Sequence, residues 1–114
     1  MISKKNKVQR DQIPFILEKG LQTKSSFFIV RYQKNDVALP RFCAIISRKV
    51  EKSAVKRNRI RRQIFESIRL NLKENENLRI LAYDLVLIPK KIVLKKDFHD
   101  IKKDISSLLN KWTN

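Results

Sequence analysis

Ser53-Ala54-Val55-Lys56-Arg57-Asn58-Arg59-Ile60-Arg61-Arg62-Gln63-Ile64-Phe65-Glu66-Ser67-Ile68-Arg69 sets five arginines and a lysine in a run free of glycine and proline. Its residues are mostly good helix formers, and Ile60, Ile64, Ile68 and Leu72 recur every fourth position, so the stretch predicts a helix with Ser53 as its N-cap. At 100° per residue Arg57 and Arg61 fall on the side of Ile64, Ile68 and Leu72. Unpaired guanidinium groups resist burial, so one row changing from arginine to isoleucine predicts that the later turns pack on a sheet. The first turns then project past the sheet's edge. Lys56, Arg59 and Arg62 make the projecting end cationic nearly all round.

Positive charge at a helix N-terminus opposes the macrodipole, so something else must favour it. Phosphate oxygens meet that need, because arginine offers a planar fork of donors and stays charged at physiological pH. A solvated basic face without a specific ligand is the alternative. Immediately upstream, Ser47-Arg48-Lys49-Val50-Glu51-Lys52 adds Arg48, Lys49 and Lys52 to the same edge.

The whole chain has the same bias: 27 Lys and Arg against 11 Asp and Glu leave a net charge of +16 on 114 residues. That length suits one domain with one modest core, and the field attracts polyanions of any kind. No apolar stretch approaches the roughly 20 residues needed to span a bilayer, and Met1-Ile2-Ser3-Lys4-Lys5-Asn6-Lys7 lacks the apolar centre of a signal peptide. The expectation is a cytoplasmic protein with no membrane partner. Cys43 is the only cysteine, which precludes an intrachain disulfide, and within Phe42-Cys43-Ala44-Ile45-Ile46 it reads as a small buried hydrophobe.

Outward from the arginine run, residues 1–10 carry Lys4, Lys5, Lys7 and Arg10 without acids and predict a mobile basic arm, and residues 11–114 are expected to form a single domain that binds a polyanion, RNA on the resemblance given below. A short helix follows from Asp11 or Gln12, with Pro14 early in it, Ile13, Ile16 and Leu17 on one face, and Gly20, the only glycine, at its stop. Phe27 to Tyr32 predicts a strand with Phe28, Val30 and Tyr32 on one face and Phe27, Ile29 and Arg31 on the other. Gln33 to Asp36 predicts a turn. Arg41 to Ser47 predicts a strand apolar enough to be central, Lys73 to Asn77 a loop, and Leu81 to Ile88 a strand interrupted by Asp84 and stopped by Pro89. The clearest periodicity is Phe98, Ile101, Ile105, Leu108, Leu109 and Trp112 after an Asp97 cap, a helix with Trp112 as a core anchor. These elements predict an α/β (α+β) two-layer sandwich, helices packed on a small sheet.

The order Ser47-Arg48-Lys49-Val50 followed by Ala54-Val55-Lys56-Arg57-Asn58-Arg59-Ile60-Arg61-Arg62 resembles the signature of the protein subunit of bacterial ribonuclease P. There a basic Ser-Lys-Lys-Val element feeds an Arg-Asn-Arg-x-Lys-Arg helix. The similarity extends thinly over nearly the whole chain, and Asp84-Leu85-Val86-Leu87-Ile88-Pro89-Lys90 is similar to the family's penultimate strand. Glu51 stands where the family usually has glycine and Phe65 where a basic residue is common, which shortens the cationic stripe by a turn. The resemblance implies the order α-β-β-(β)-α-β-α, as in a ribosomal-protein domain, with a strand the pattern does not place.

It also implies a role. The catalytic RNA would hold Mg²⁺ and cleave the 5′ leader from precursor tRNA, while the protein binds the RNA subunit and the leader as a monomer within the ribonucleoprotein. Arg57, Arg59, Arg61 and Arg62, with Lys56, would contact phosphates, and Asn58 would bond RNA or fix the helix entry. A leader cleft would involve Ile13 and Leu17, at places where the family carries aromatics, together with Phe28, Arg31 and Lys90. For each of these a core or solvated role is the competing reading.

No catalytic residue and no protein-bound cofactor is expected. The sequence has no His/Cys/Asp/Glu ligand cluster, no nucleophile beside a base and no glycine-rich phosphate loop, and His99 is the sole histidine. A non-catalytic ribosomal or other structural RNA-binding protein is the main rival reading. A DNA-binding regulator is weaker, for want of a helix-turn-helix partner helix.

Overall fold

The computed structural model describes residues 2–113. Seven main elements follow one another: α1 (Ile13–Lys19), β1 (Leu21–Lys24), β2 (Phe28–Lys34), β3 (Arg41–Ala44), α2 (Ala54–Glu74), β4 (Tyr83–Pro89) and α3 (Phe98–Leu109), with short 3₁₀ turns between. The sheet order is β1-β2-β4-β3. β1 and β2 form an antiparallel hairpin, β2 runs antiparallel to β4, and β3 lies parallel to β4, with α2 as the crossover between them.

Alternation along the strands splits the apolar residues between two faces. Phe28, Val30, Phe42, Ala44, Leu85 and Leu87 meet Ile64 and Ile68 of α2 and Ile101, Ile105 and Leu108 of α3 in the main core. On the other face Ile16 of α1 packs against Val86 with Val8, flanked by Ile13, Cys43, Ile45 and Ile88. α3 follows its sequence pattern closely: the Asp97 carboxylate accepts from the Asp100 N–H at 2.9 Å. Trp112 sits edge-on to Tyr32 with ring centroids 5.1 Å apart. α2 begins where its sequence predicts, with the Ser53 hydroxyl accepting from the Lys56 N–H at 3.3 Å.

Four expectations change. The strand from Arg41 is outermost, not central; its apolar run reflects two covered faces, Phe42 and Ala44 toward α2 and Cys43 and Ile45 toward α1. Residues 2–10 do not hang free: the Val8 N–H donates to the Phe42 carbonyl at 3.0 Å, Asn6 Nδ2 donates to the Pro40 carbonyl at 2.8 Å, and Ile2 and Val8 are buried. Two apolar residues among the lysines suffice to dock the segment, where it covers the open edge of β3. The strand that the pattern leaves unplaced is β1, whose four residues are mostly exposed and so show no apolar alternation. Lys73–Asn77 is not a single loop, because α2 continues to Glu74 and a 3₁₀ turn covers Glu76–Ile80.

Gly20 ends α1 in extended backbone, φ −67°. Lack of space rather than backbone freedom demands glycine, since a Cβ would collide with the Ile16 carbonyl oxygen and lie 3.0 Å from that of Tyr32.

Candidate nucleic-acid interface

Ile60 is the first buried residue of α2, and Val55 is 76% exposed, so the helix's first turns stand clear of the core. Two local clamps set their geometry. Arg57 Nη1 donates to the carbonyls of Glu51 at 3.0 Å and Lys52 at 2.8 Å, folding the loop from β3 back onto the helix start. The Glu51 carboxylate accepts from the Ser53 N–H at 3.0 Å, so the acid standing in the family's glycine position is turned toward the helix cap. Asn58 accepts from Arg61 Nη1 at 2.7 Å and thereby fixes the direction of that guanidinium.

Arg48, Lys49, Lys52, Lys56, Asn58, Arg59 and Arg62 are exposed, and Arg57 and Arg61 are half-buried. Among the described residues the ion pairs are Arg41–Asp84, Arg69–Glu66 and Lys102–Glu74, none of which involves these cations. Charge is thus concentrated at one end of α2 with no counter-ion among the described residues. The stripe ends at Arg69, whose guanidinium grips Glu66 and, through those hydrogen bonds, holds its carboxyl below the ordinary glutamate range. Phe65 lacks charge but does not leave its position neutral in space: Lys7 Nζ stands 5.7 Å from the ring centroid. Sequence reasoning missed Lys7 because its partner is far along the chain.

The five residues read as a cleft divide. Ile13, Leu17 and Arg31 belong to α1 or to the sheet face that α1 covers, but Phe28 is 0% exposed on the opposite face and is a core residue. Alternation already separated Phe28 from Arg31, and a residue buried between sheet and helices cannot address a ligand on the far side. Arg31 Nη1 donates to Gln22 Oε1 at 3.1 Å, while its Nε is buried without a partner among the described residues. Lys90 Nζ donates to the Ser25 carbonyl at 3.0 Å, leaving further donors on the ammonium group. α1 also exposes Phe15, an aromatic residue that the apolar-face reading passed over.

The carboxylates have structural tasks. Asp84 is buried and accepts from Arg41 Nε at 2.7 Å, Arg41 Nη2 at 2.8 Å and Asn35 Nδ2 at 2.9 Å. Asp104 accepts from Ser25 Oγ at 2.7 Å and from the Phe27 N–H at 3.1 Å. Among the described residues no group of three or more His, Cys, Asp or Glu is placed to hold a metal ion. Burial pushes the Cys43 thiol up, a shift away from the reactive thiolate. No helix among the described residues is long and apolar enough to cross a membrane.

A model of the Ribonuclease P family matches residues 2–113. The Ribonuclease P protein component of Clostridium botulinum (strain Langeland) is 33% identical over 109 residues, spanning 95% of this chain and 95% of that protein. That of Caldanaerobacter subterraneus subsp. tengcongensis is 34% identical over 96 residues, spanning 84% and 78%. Among solved structures, a Staphylococcus aureus RNase P protein mutant with defective mRNA degradation activity superposes with a TM-score of 0.77 at 23% identity, over 94% of this chain and 87% of that one. The RNase P protein from Thermotoga maritima gives 0.73 at 22%, over 92% and 96%. At these identities the likeness to both structures is one of fold.

Proposed function

The chain belongs to the ribonuclease P protein family, the accessory protein subunit of an endoribonuclease, and from that premise we propose how its residues serve removal of the 5′ leader from precursor tRNA. The partner is the ribonuclease P RNA. Arg48, Lys49, Lys52, Lys56, Arg57, Arg59, Arg61 and Arg62 contact its phosphates, with Asn58 holding Arg61 in register. The observation that carries this reading is the cationic start of α2, standing clear of the core with no ion pair among the described residues. Two polyanions, ribozyme and substrate, repel each other, and a body of charge +16 lying between them lowers that repulsion.

The leader of precursor tRNA lies along the sheet face beside α1, where Ile13 and Leu17 form an apolar wall and the half-buried Arg31 guanidinium and the Lys90 ammonium offer donors. Phe28 supports that face from behind. The protein acts as a monomer in the cytoplasm, and the phosphodiester chemistry belongs to the RNA, where Mg²⁺ is held.

Reconstitution tests the reading. The purified chain, added to ribonuclease P RNA at low Mg²⁺, should accelerate 5′ trimming of precursor tRNA over the RNA alone; no acceleration across a range of Mg²⁺ would refute it.

A further inference from the structure

We propose that the crevice beyond the carboxyl ends of β3 and β4 receives one unpaired nucleotide of the RNA subunit, its base against an aliphatic floor and its phosphates on a lysine-rich rim. This rests on the function proposed above. β3 and β4 are parallel, so the segments leaving them start side by side and flank one crevice, the first running through residues 47–52 toward α2, the second through the 3₁₀ turn Lys91–Lys95 toward α3. The opening here has a volume of about 760 Å³, within the about 300–1,000 Å³ span of small-ligand sites.

Its floor is made of Val50, Ile92 and Leu94. Ile92 and Leu94 are 45% and 42% exposed although Val93 between them is buried, so the turn is anchored by one residue and presents its two neighbours outward. The rim is cationic on both banks, with Arg48, Lys49 and Lys52 facing Lys91 and Lys95. Among the described residues Glu51 is the only acid in the lining, and its carboxylate is engaged by the Ser53 N–H.

An apolar floor inside a ring of cations complements a molecule with a flat apolar part and an anionic part a few ångströms away, which describes a nucleotide. A base within a duplex has both faces stacked and cannot offer one to a floor, so the occupant is unpaired. The site is continuous with the cap of α2 through Glu51 and Lys52, which assigns the nucleotide to the RNA that α2 holds rather than to the leader on the face beside α1.

The test uses the full chain with ribonuclease P RNA. The double variant Ile92→Gln/Leu94→Gln keeps every cation and removes the apolar floor, so affinity for the RNA should fall about tenfold while the log–log salt slope stays unchanged. Discrimination between precursor tRNAs with long and short leaders should not move. A photo-reactive benzophenone amino acid at position 92, tested separately, should crosslink to one unpaired nucleotide of the RNA subunit. Unaltered affinity of a folded double variant, or crosslinks that fall on the leader or on paired nucleotides, would overturn the proposal even if the crevice binds something else. A wild-type chain that neither binds nor stimulates the RNA would instead overturn the parent reading, so the two failures are distinguishable.

Discussion

Asp84 shows how a residue that looks misplaced in a sequence can be required by a fold. Inside the apolar run Leu81–Ile88 it reads only as an interruption, since its partners Arg41 and Asn35 lie 43 and 49 positions away. The fold brings Arg41 opposite it in the parallel register of β3 and β4. The hydrogen bond and charge of Asp84 raise the pKa of Arg41 further above its already high ordinary value, so this guanidinium keeps its charge across the whole physiological range. Arg41→Ala would leave a buried carboxylate with Asn35 as its remaining side-chain partner. Urea unfolding should show a loss of about 3–5 kcal/mol, with much of it recovered when Asp84 is also replaced by leucine. An Arg41→Ala protein as stable as wild type would mean that the carboxylate finds solvent. Phe28 teaches the opposite lesson. Its alternation with Arg31 is visible in the sequence, but which face of the strand meets the helices is not, because Ile29 and Ile88 make the other face apolar as well.

After α3, α2 is the most legible element. Its cap, its buried row and its cationic start follow from local spacing, and tertiary packing merely extends it to Glu74. Replacing Arg57, Arg59, Arg61 and Arg62 by alanine should leave far-ultraviolet dichroism intact, because alanine favours helix and none of the four lies in the core. Affinity for ribonuclease P RNA should drop, and the log–log salt dependence should flatten by roughly 0.7–0.9 for each phosphate the protein no longer neutralises. An unchanged slope would remove this helix from the interface. β1 and the segment 2–10 are illegible for one shared reason. Each pairs its backbone with a neighbouring strand, β1 with β2 and Val8 with Phe42, and the side-chain trace is slight, none in β1 and only Ile2 and Val8 among the lysines of the segment.

For the molecule as a whole, composition is enough to indicate a polyanion partner and a single domain. What it does not convey is the order of the strands. β4 bonds to both β2 and β3, so the hairpin β1–β2 and the lone strand β3 have no direct pairing until residues 83–89 arrive. A chain ending at Asn75 would contain every arginine of the interface yet lack the strand that joins the sheet. It should show no cooperative unfolding transition and should bind ribonuclease P RNA and unrelated RNA alike. The same topology governs the nascent protein on the ribosome. About two thirds of the chain, including the arginine helix, is synthesised before β4 begins, at roughly 5–20 residues per second. Until β4 is added the buried row of α2 has no completed sheet to cover it, so the last third of the chain decides when a cationic helix becomes a folded RNA-binding surface.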